Sequence, residues 1–102
     1  MNEVIVTRHG EKRIRKRLGV NKKCASRTAA KAMTFGVTHA EATGKLSRYL
    51  DGVYLPYRSA NNMRVYNRVV YLFNGDILIT VLALPKKYHD LADKLQRQKA
   101  GN

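Results

Sequence analysis

The sequence predicts a single α+β domain spanning residues 1–102, with N-terminal helices packed on one face of a C-terminal antiparallel β-meander and a short C-terminal helix. Three observations predict it. In the first half, apolar and small residues recur at helical spacing. From Met63 onward the apolar runs are short and rich in β-branched residues. Between two of those runs stands Asn74-Gly75, a strong short-range hairpin signal, because a type I′ turn requires positive φ at both central positions.

Taken in order, Glu3 to Thr7 (EVIVT) reads as a strand or an extended lead-in. His9 to Leu18 reads as a helix, with Gly19 where a C-terminal glycine belongs. Asn21 caps a second helix over Lys22 to Phe35, ended by Gly36. Its stripe of Ala25, Ala29, Ala32 and Met33 allows another backbone to approach closely. Thr38-His39-Ala40-Glu41 fits a capping box. The helix it would open carries Leu46, Tyr49, Leu50, Val53 and Tyr54 on one stripe, with Gly44 weakening its first turn and Pro56 stopping it. Tyr57 to Asn62 is read as a loop. Strands follow over Met63–Asn67, Val69–Phe73 and Ile77–Leu84, then Pro85 and a charged helix from about Lys87 to Gln98 with Leu91 and Leu95 as its apolar contacts.

With Asn74-Gly75 as the loop, Leu72 faces Ile77, Tyr71 faces Leu78 and Val69 faces Thr80. Directly paired residues share a sheet face. One face then holds Val70, Leu72, Ile77, Ile79, Val81 and Ala83, an aliphatic core under the helices, joined by Met63 and Val65. The other holds Val69, Tyr71, Phe73, Leu78, Thr80 and Leu82, and would display Arg64, Tyr66, Tyr71 and Thr80 together. A bulge near Asn67-Arg68 would break this alternation.

Charge is the most informative part of the composition. Twenty Lys and Arg face seven Asp and Glu, a formal charge of +13. Such an excess repels itself unless a polyanion relieves it, and nucleic acid is the commonest polyanion. Between Arg8 and Lys31 stand ten Lys or Arg against one acid, Glu11. His9, Arg13 and Arg17 fall at i, i+4, i+8, one stripe of a helix, flanked by Arg8, Lys12, Arg15 and Lys16 as nucleic-acid-binding candidates. Cys24 is the only cysteine, so neither an internal disulfide nor a thiolate metal cluster is expected, and the setting is read as reducing and cytoplasmic. No apolar run reaches the roughly 18 residues of a membrane span, and no membrane partner is expected. The acids show no metal-binding spacing, and no metal or cofactor is expected. His39 and His89 are read as surface histidines.

A His beside two Arg suits RNA cleavage by the substrate's own 2′-hydroxyl. His titrates near neutrality and can move the protons, while Arg stabilises charge developing on the phosphate oxygens.

The pieces H9-GEK-R13-IRK-R17 and ILITVLALP (Ile77 to Pro85), with helices between and a meander, resemble the small toxins of the barnase–EndoU–colicin–RelE fold. SANNMRVYNRVVYLFNGDILITVLALP is also similar to short basic proteins of phages and mobile elements of Gram-positive bacteria. The resemblance implies a metal-independent ribonuclease acting on transfer, messenger or ribosomal RNA, partnered by an antitoxin. By position His9, Arg13 and Arg17 match the helix motif and Thr80 the last-strand hydroxyl, as catalytic residues. Arg64 and Tyr88 match the strand Arg and late Tyr of RelE-type toxins and, with Tyr66 and Tyr71, are expected to contact RNA. The helical insert from Thr38 to Tyr54 departs from the compact RelE plan and argues against ribosome-dependent cleavage. The alternative is a non-catalytic, phage-encoded inhibitor, of the anti-CRISPR kind, docking on a guide RNA or a ribonucleoprotein effector.

Overall fold

The computed structural model describes residues 4–54, 56 and 60–101. Glu3 of the first expected strand, and Tyr57, Arg58 and Ser59 of the expected loop, lie outside the described residues. The elements in chain order are β1 (Ile5–Val6), α1 (Arg8–Leu18), α2 (Lys22–Phe35), β2 (Val37–Thr38), α3 (Gly44–Tyr54), β3 (Asn62–Tyr66), β4 (Val69–Asn74), β5 (Ile77–Ala83) and α4 (His89–Ala100), the last preceded by a 3₁₀ turn over Lys86–Tyr88. The α+β class and the short C-terminal helix are as the sequence predicts.

The sheet has five strands in the order β1-β5-β4-β3-β2. The β3-β4-β5 meander is antiparallel, β2 adds antiparallel to β3, and β1 adds parallel to β5. The two outer strands are two residues each, too short to leave a periodic signal in sequence.

Both faces of the sheet are covered. α1 and α2 pack on the face carrying Val69, Tyr71, Phe73, Leu78 and Val81, through Ile14, Ala25, Ala29, Ala32 and Met33. α3 and α4 cover the other face, with Leu46, Leu50 and Ala92 against Met63, Val65, Val70 and Leu72. α1 and α2 do share one face, but it is the aromatic face and not the aliphatic one, and α3 lies on the other. A strand apolar on both sides, as Val-Val-Tyr-Leu-Phe in β4 is, belongs in the middle of three layers.

The hairpin register departs from the expected one in two ways. Asn74 pairs with Ile77, so Gly75 and Asp76 form the loop, with Gly75 at φ 59°. Phe73 then pairs with Leu78 but Leu72 with Thr80, which leaves Ile79 as a bulge in β5. An extra residue exchanges the faces of everything after it. Thr80 moves to the Leu72 face and Val81 to the Tyr71 face, where it pairs with Tyr71. Asn67-Arg68 is a two-residue turn between paired Tyr66 and Val69, both central residues having positive φ (49° and 65°). It is the primed turn that Asn74-Gly75 was expected to supply. The strain of an Arg at positive φ is held by a two-pronged ion pair from its guanidinium to Asp93 of α4, at 2.7–3.3 Å, and by the amide of Leu84 donating to its carbonyl.

The helix ends follow their caps. The Asn21 side chain accepts from the Cys24 amide, and Gly19 closes α1 at φ 65°. The Thr38–Glu41 box forms both of its reciprocal bonds, at 2.9 and 3.1 Å, yet closes an isolated turn. The helix begins at Gly44, whose φ of 57° a continuous helix from Thr38 could not include.

Glu41 also accepts from Lys99 of α4 at 2.8 Å, and this hydrogen bond, with that from the Thr38 amide, lowers its pKa from 4.5 to about 2. A carboxyl with a depressed folded pKa stabilises above its unfolded value and loses that contribution as pH falls toward the folded one. Half the side chain is exposed, so screening holds the effect to about 1 kcal/mol or less. The stability difference between the protein and Glu41→Gln, read by urea denaturation, is expected to be level above pH 4.5 and to vanish toward pH 2. A difference that persists at pH 2 would contradict this role.

Candidate nucleic-acid interface

The basic stripe is carried by α1, and its placement begins with two residues the sequence reading passed over. Thr7 caps the helix, its hydroxyl oxygen accepting from the Gly10 amide at 3.0 Å. The same hydroxyl donates to the carbonyl of Leu78, beside the β5 bulge, at 2.8 Å. Gly10 faces that strand so closely that a Cβ there would lie 2.8 Å from the Leu78 carbonyl oxygen. A glycine inside a helix costs about 1 kcal/mol against Ala, which signals a packing reason of this kind. Gly10 and Ile14 are buried, so the opposite side of α1 faces solvent.

That outward side is cationic throughout. Arg8, His9, Lys12, Arg15, Lys16 and Arg17 are exposed and Arg13 is half-buried. His9, Lys12, Arg13 and Lys16 line one shallow depression. Lys12, Arg15 and Lys16, with Gly19 and Val20, line a second at the α1–α2 junction. Lys12 and Lys16 form the ridge between the two. α2 continues the surface with exposed Lys23, Arg27 and Lys31. Among the described residues Arg15 is the one cation of this layer with a carboxylate partner, Glu11 at 3.7 Å.

On the α3–α4 side, among the described residues, three of the four acids are matched, Asp90 being the exception. Glu41 meets Lys99, Asp51 meets His39 at 2.6 Å, and Asp93 meets Arg68. The His89 ring nitrogen lies 2.7 Å from the Leu84 carbonyl oxygen. Ten bases against one acid between Arg8 and Lys31 account for nine of the thirteen net positive charges, and they occupy one layer.

The remaining sequence candidates do not join this surface. Thr80 is 4% exposed and points to the opposite sheet face, a correction that follows from the Ile79 bulge. Tyr71 is 1% exposed beneath α1 and α2, stacked on Phe73 with ring centroids 6.4 Å apart, and burial pushes its phenol well above the usual range. It cannot contact RNA in this fold. Tyr66 shares that cluster and is half-buried.

Arg64 is committed elsewhere. Its guanidinium donates to the Met33 carbonyl at 3.0 Å and to Asn62 at 2.9 Å. With Gln96 on the Phe35 carbonyl and Lys99 on that of Gly36, it satisfies the last carbonyls of α2 and opposes the negative end of its dipole. The sequence clue was Gly36, whose missing side chain admits Arg64: a Cβ there would be 3.1 Å from that of Arg64. Tyr88 packs on the α3–α4 side against Tyr49, centroids 4.7 Å apart, and burial raises the Tyr49 pKa.

No group of three or more His, Cys, Asp or Glu among the described residues could hold a metal ion, and no helix among them is long and apolar enough to cross a membrane. No family model, no curated protein and no solved structure matches the chain.

Proposed function

We propose that this protein binds nucleic acid in the cytoplasm through the outer surface of the α1–α2 layer, as a docking protein and not as a nuclease. The carrying observation is that the excess cations are gathered on one layer with a single acid among them, while three of the five other described acids, Glu41, Asp51 and Asp93, are matched by bases. Arg8–Lys12, Lys12–Lys16 and Arg13–Arg17 are like-charge pairs at i, i+4. Each costs a few tenths of a kcal/mol in the free protein, and phosphate would relieve all three. The phosphates of an RNA, free or inside a ribonucleoprotein effector, suit this surface.

The ribonuclease reading keeps one observation in its favour: His9 shares its depression with Arg13. Against it, the hydroxyl and phenol that would assist proton transfer, Thr80 and Tyr71, are buried.

One experiment separates the two. The protein is titrated with total RNA across a salt series, and the RNA is then recovered from chelator-containing buffer and its ends mapped. Binding is expected to weaken about a thousandfold between 50 and 200 mM salt if some six phosphates are neutralised. The RNA is expected to remain intact, and His9→Ala to bind about as well as the unaltered chain. A salt-independent affinity would remove nucleic acid as the partner. Ends bearing 2′,3′-cyclic phosphate that disappear with His9→Ala would restore the nuclease.

A further inference from the structure

Grip on a single strand and grip on a duplex demand different surfaces. Single strands are held by aromatic side chains on which successive bases stack, beside a cationic groove. A duplex hides its base faces and presents two rows of phosphates, so cations alone suffice. The chain has six Tyr and two Phe, enough for a stacking platform. Among the described residues, which exclude Tyr57, their placement denies one to the basic layer. Tyr66, Tyr71 and Phe73 lie beneath α1 and α2, while Tyr49 and Tyr88 pack against each other at a tilt on the far side of the sheet. Tyr54 ends α3, on that far side. Among the described residues Phe35 alone is an exposed aromatic of this layer, 54% exposed at the last residue of α2, and one ring cannot hold successive bases.

The cations have the complementary arrangement. They form a ridge, Lys12 and Lys16, with a depression on either side: His9 and Arg13 in one, Arg15 in the other. Two cationic depressions flanking a cationic ridge offer places for two phosphate rows at once.

From this juxtaposition we infer that the ligand of the α1–α2 surface is a double helix, held by the phosphates of both strands. The inference rests on the nucleic-acid reading above. The shared chemistry is a two-stranded phosphodiester backbone, which duplex DNA and helical stems of RNA both provide.

The domain is 33 Å along its longest axis, and at 3.4 Å per step this spans about ten base pairs. Fluorescence anisotropy with the full chain therefore uses duplexes of about 16 base pairs, of DNA and of RNA, and unstructured single strands of equal length. At one salt concentration at least one duplex is expected to bind about tenfold or more tightly than either single strand, and the two duplex arms identify the source. Phe35→Ala is expected to leave single-strand affinity unchanged, whereas a base stacked on that ring would be worth about fivefold or more. Equal or tighter binding of the single strand, or a loss of that size in Phe35→Ala, overturns the duplex inference and leaves the nucleic-acid reading standing. No binding of any of the four probes overturns both.

Discussion

Val81→Asp is expected to unfold the domain, while Ile77→Asp, four residues earlier on the same strand, is expected to be tolerated. Val81 is 0% exposed, paired with Tyr71 and enclosed by the α1–α2 layer. A carboxylate there has neither water nor a counter-ion, and an unpaired buried charge costs several kcal/mol. That is a large part of the roughly 5–15 kcal/mol by which a domain of this kind is stable. Protonation does not rescue it, because a neutral carboxyl still loses its hydrogen bonds with water in an apolar site. Ile77 is 40% exposed, beside the still more open Ile5 of β1, so a charge there stays solvated and the change is expected to cost about 1 kcal/mol or less. Val81→Ala, which adds no charge, should lose about 2 kcal/mol and keep the fold. Thermal melts of the three variants report this directly. The uninterrupted hairpin register puts Ile77 and Val81 in one core, so an Ile77→Asp variant that also unfolds would restore that register and remove the bulge.

The part of the fold legible in sequence is the part written by local chemistry. Asn21, Gly19 and Gly36 bound their helices because capping is a contact between residues a few positions apart. The three meander strands were legible because five to seven residues suffice to show an apolar run. The bulge at Ile79 was not. β5 is apolar at nearly every position, so neither register leaves a charged residue facing the core, and the pattern cannot choose between them. Which helices cover which face was hidden for the same reason. The signal present but unread was β4, whose five consecutive buried residues require cover on both sides.

The candidate site divides along the same line. A cationic helix announces itself, since its spacing is local and its acids are countable. Arg64, Tyr71, Thr80 and Tyr88 were assigned by analogy or by strand alternation, and each depended on a tertiary fact. Arg64 is engaged by the end of α2 and Tyr71 is roofed by α1 and α2. Thr80 is turned over by one extra residue, and Tyr88 is held by Tyr49. Gly10 and Thr7 reverse the case. They touch no ligand in the proposal, but they seat α1 on β5 and so decide which of its sides meets solvent.

The functional consequence is largest at the ridge. Lys12→Glu with Lys16→Glu is expected to weaken nucleic-acid binding about 100-fold or more near 0.1 M salt, and to lower the slope of log affinity against log salt by about 2. Both residues are exposed and border both depressions, so the pair removes two phosphate contacts and sets two carboxylates against the same phosphates. Stability should change little, because the attraction gained between Arg8 and position 12 is offset by a carboxylate at position 16 in the last turn of α1, against the negative end of the helix dipole. A second pair makes the same change in net charge elsewhere: Lys45→Glu with Lys94→Glu, both exposed, on α3 and α4. Charges there lie on the other side of the sheet from α1, while screening at 0.1 M acts over about 10 Å. That pair is therefore expected to change affinity less than about threefold. Equal losses in the two pairs would mean that net charge, and not the α1–α2 surface, governs binding, and the assignment of the interface would fall.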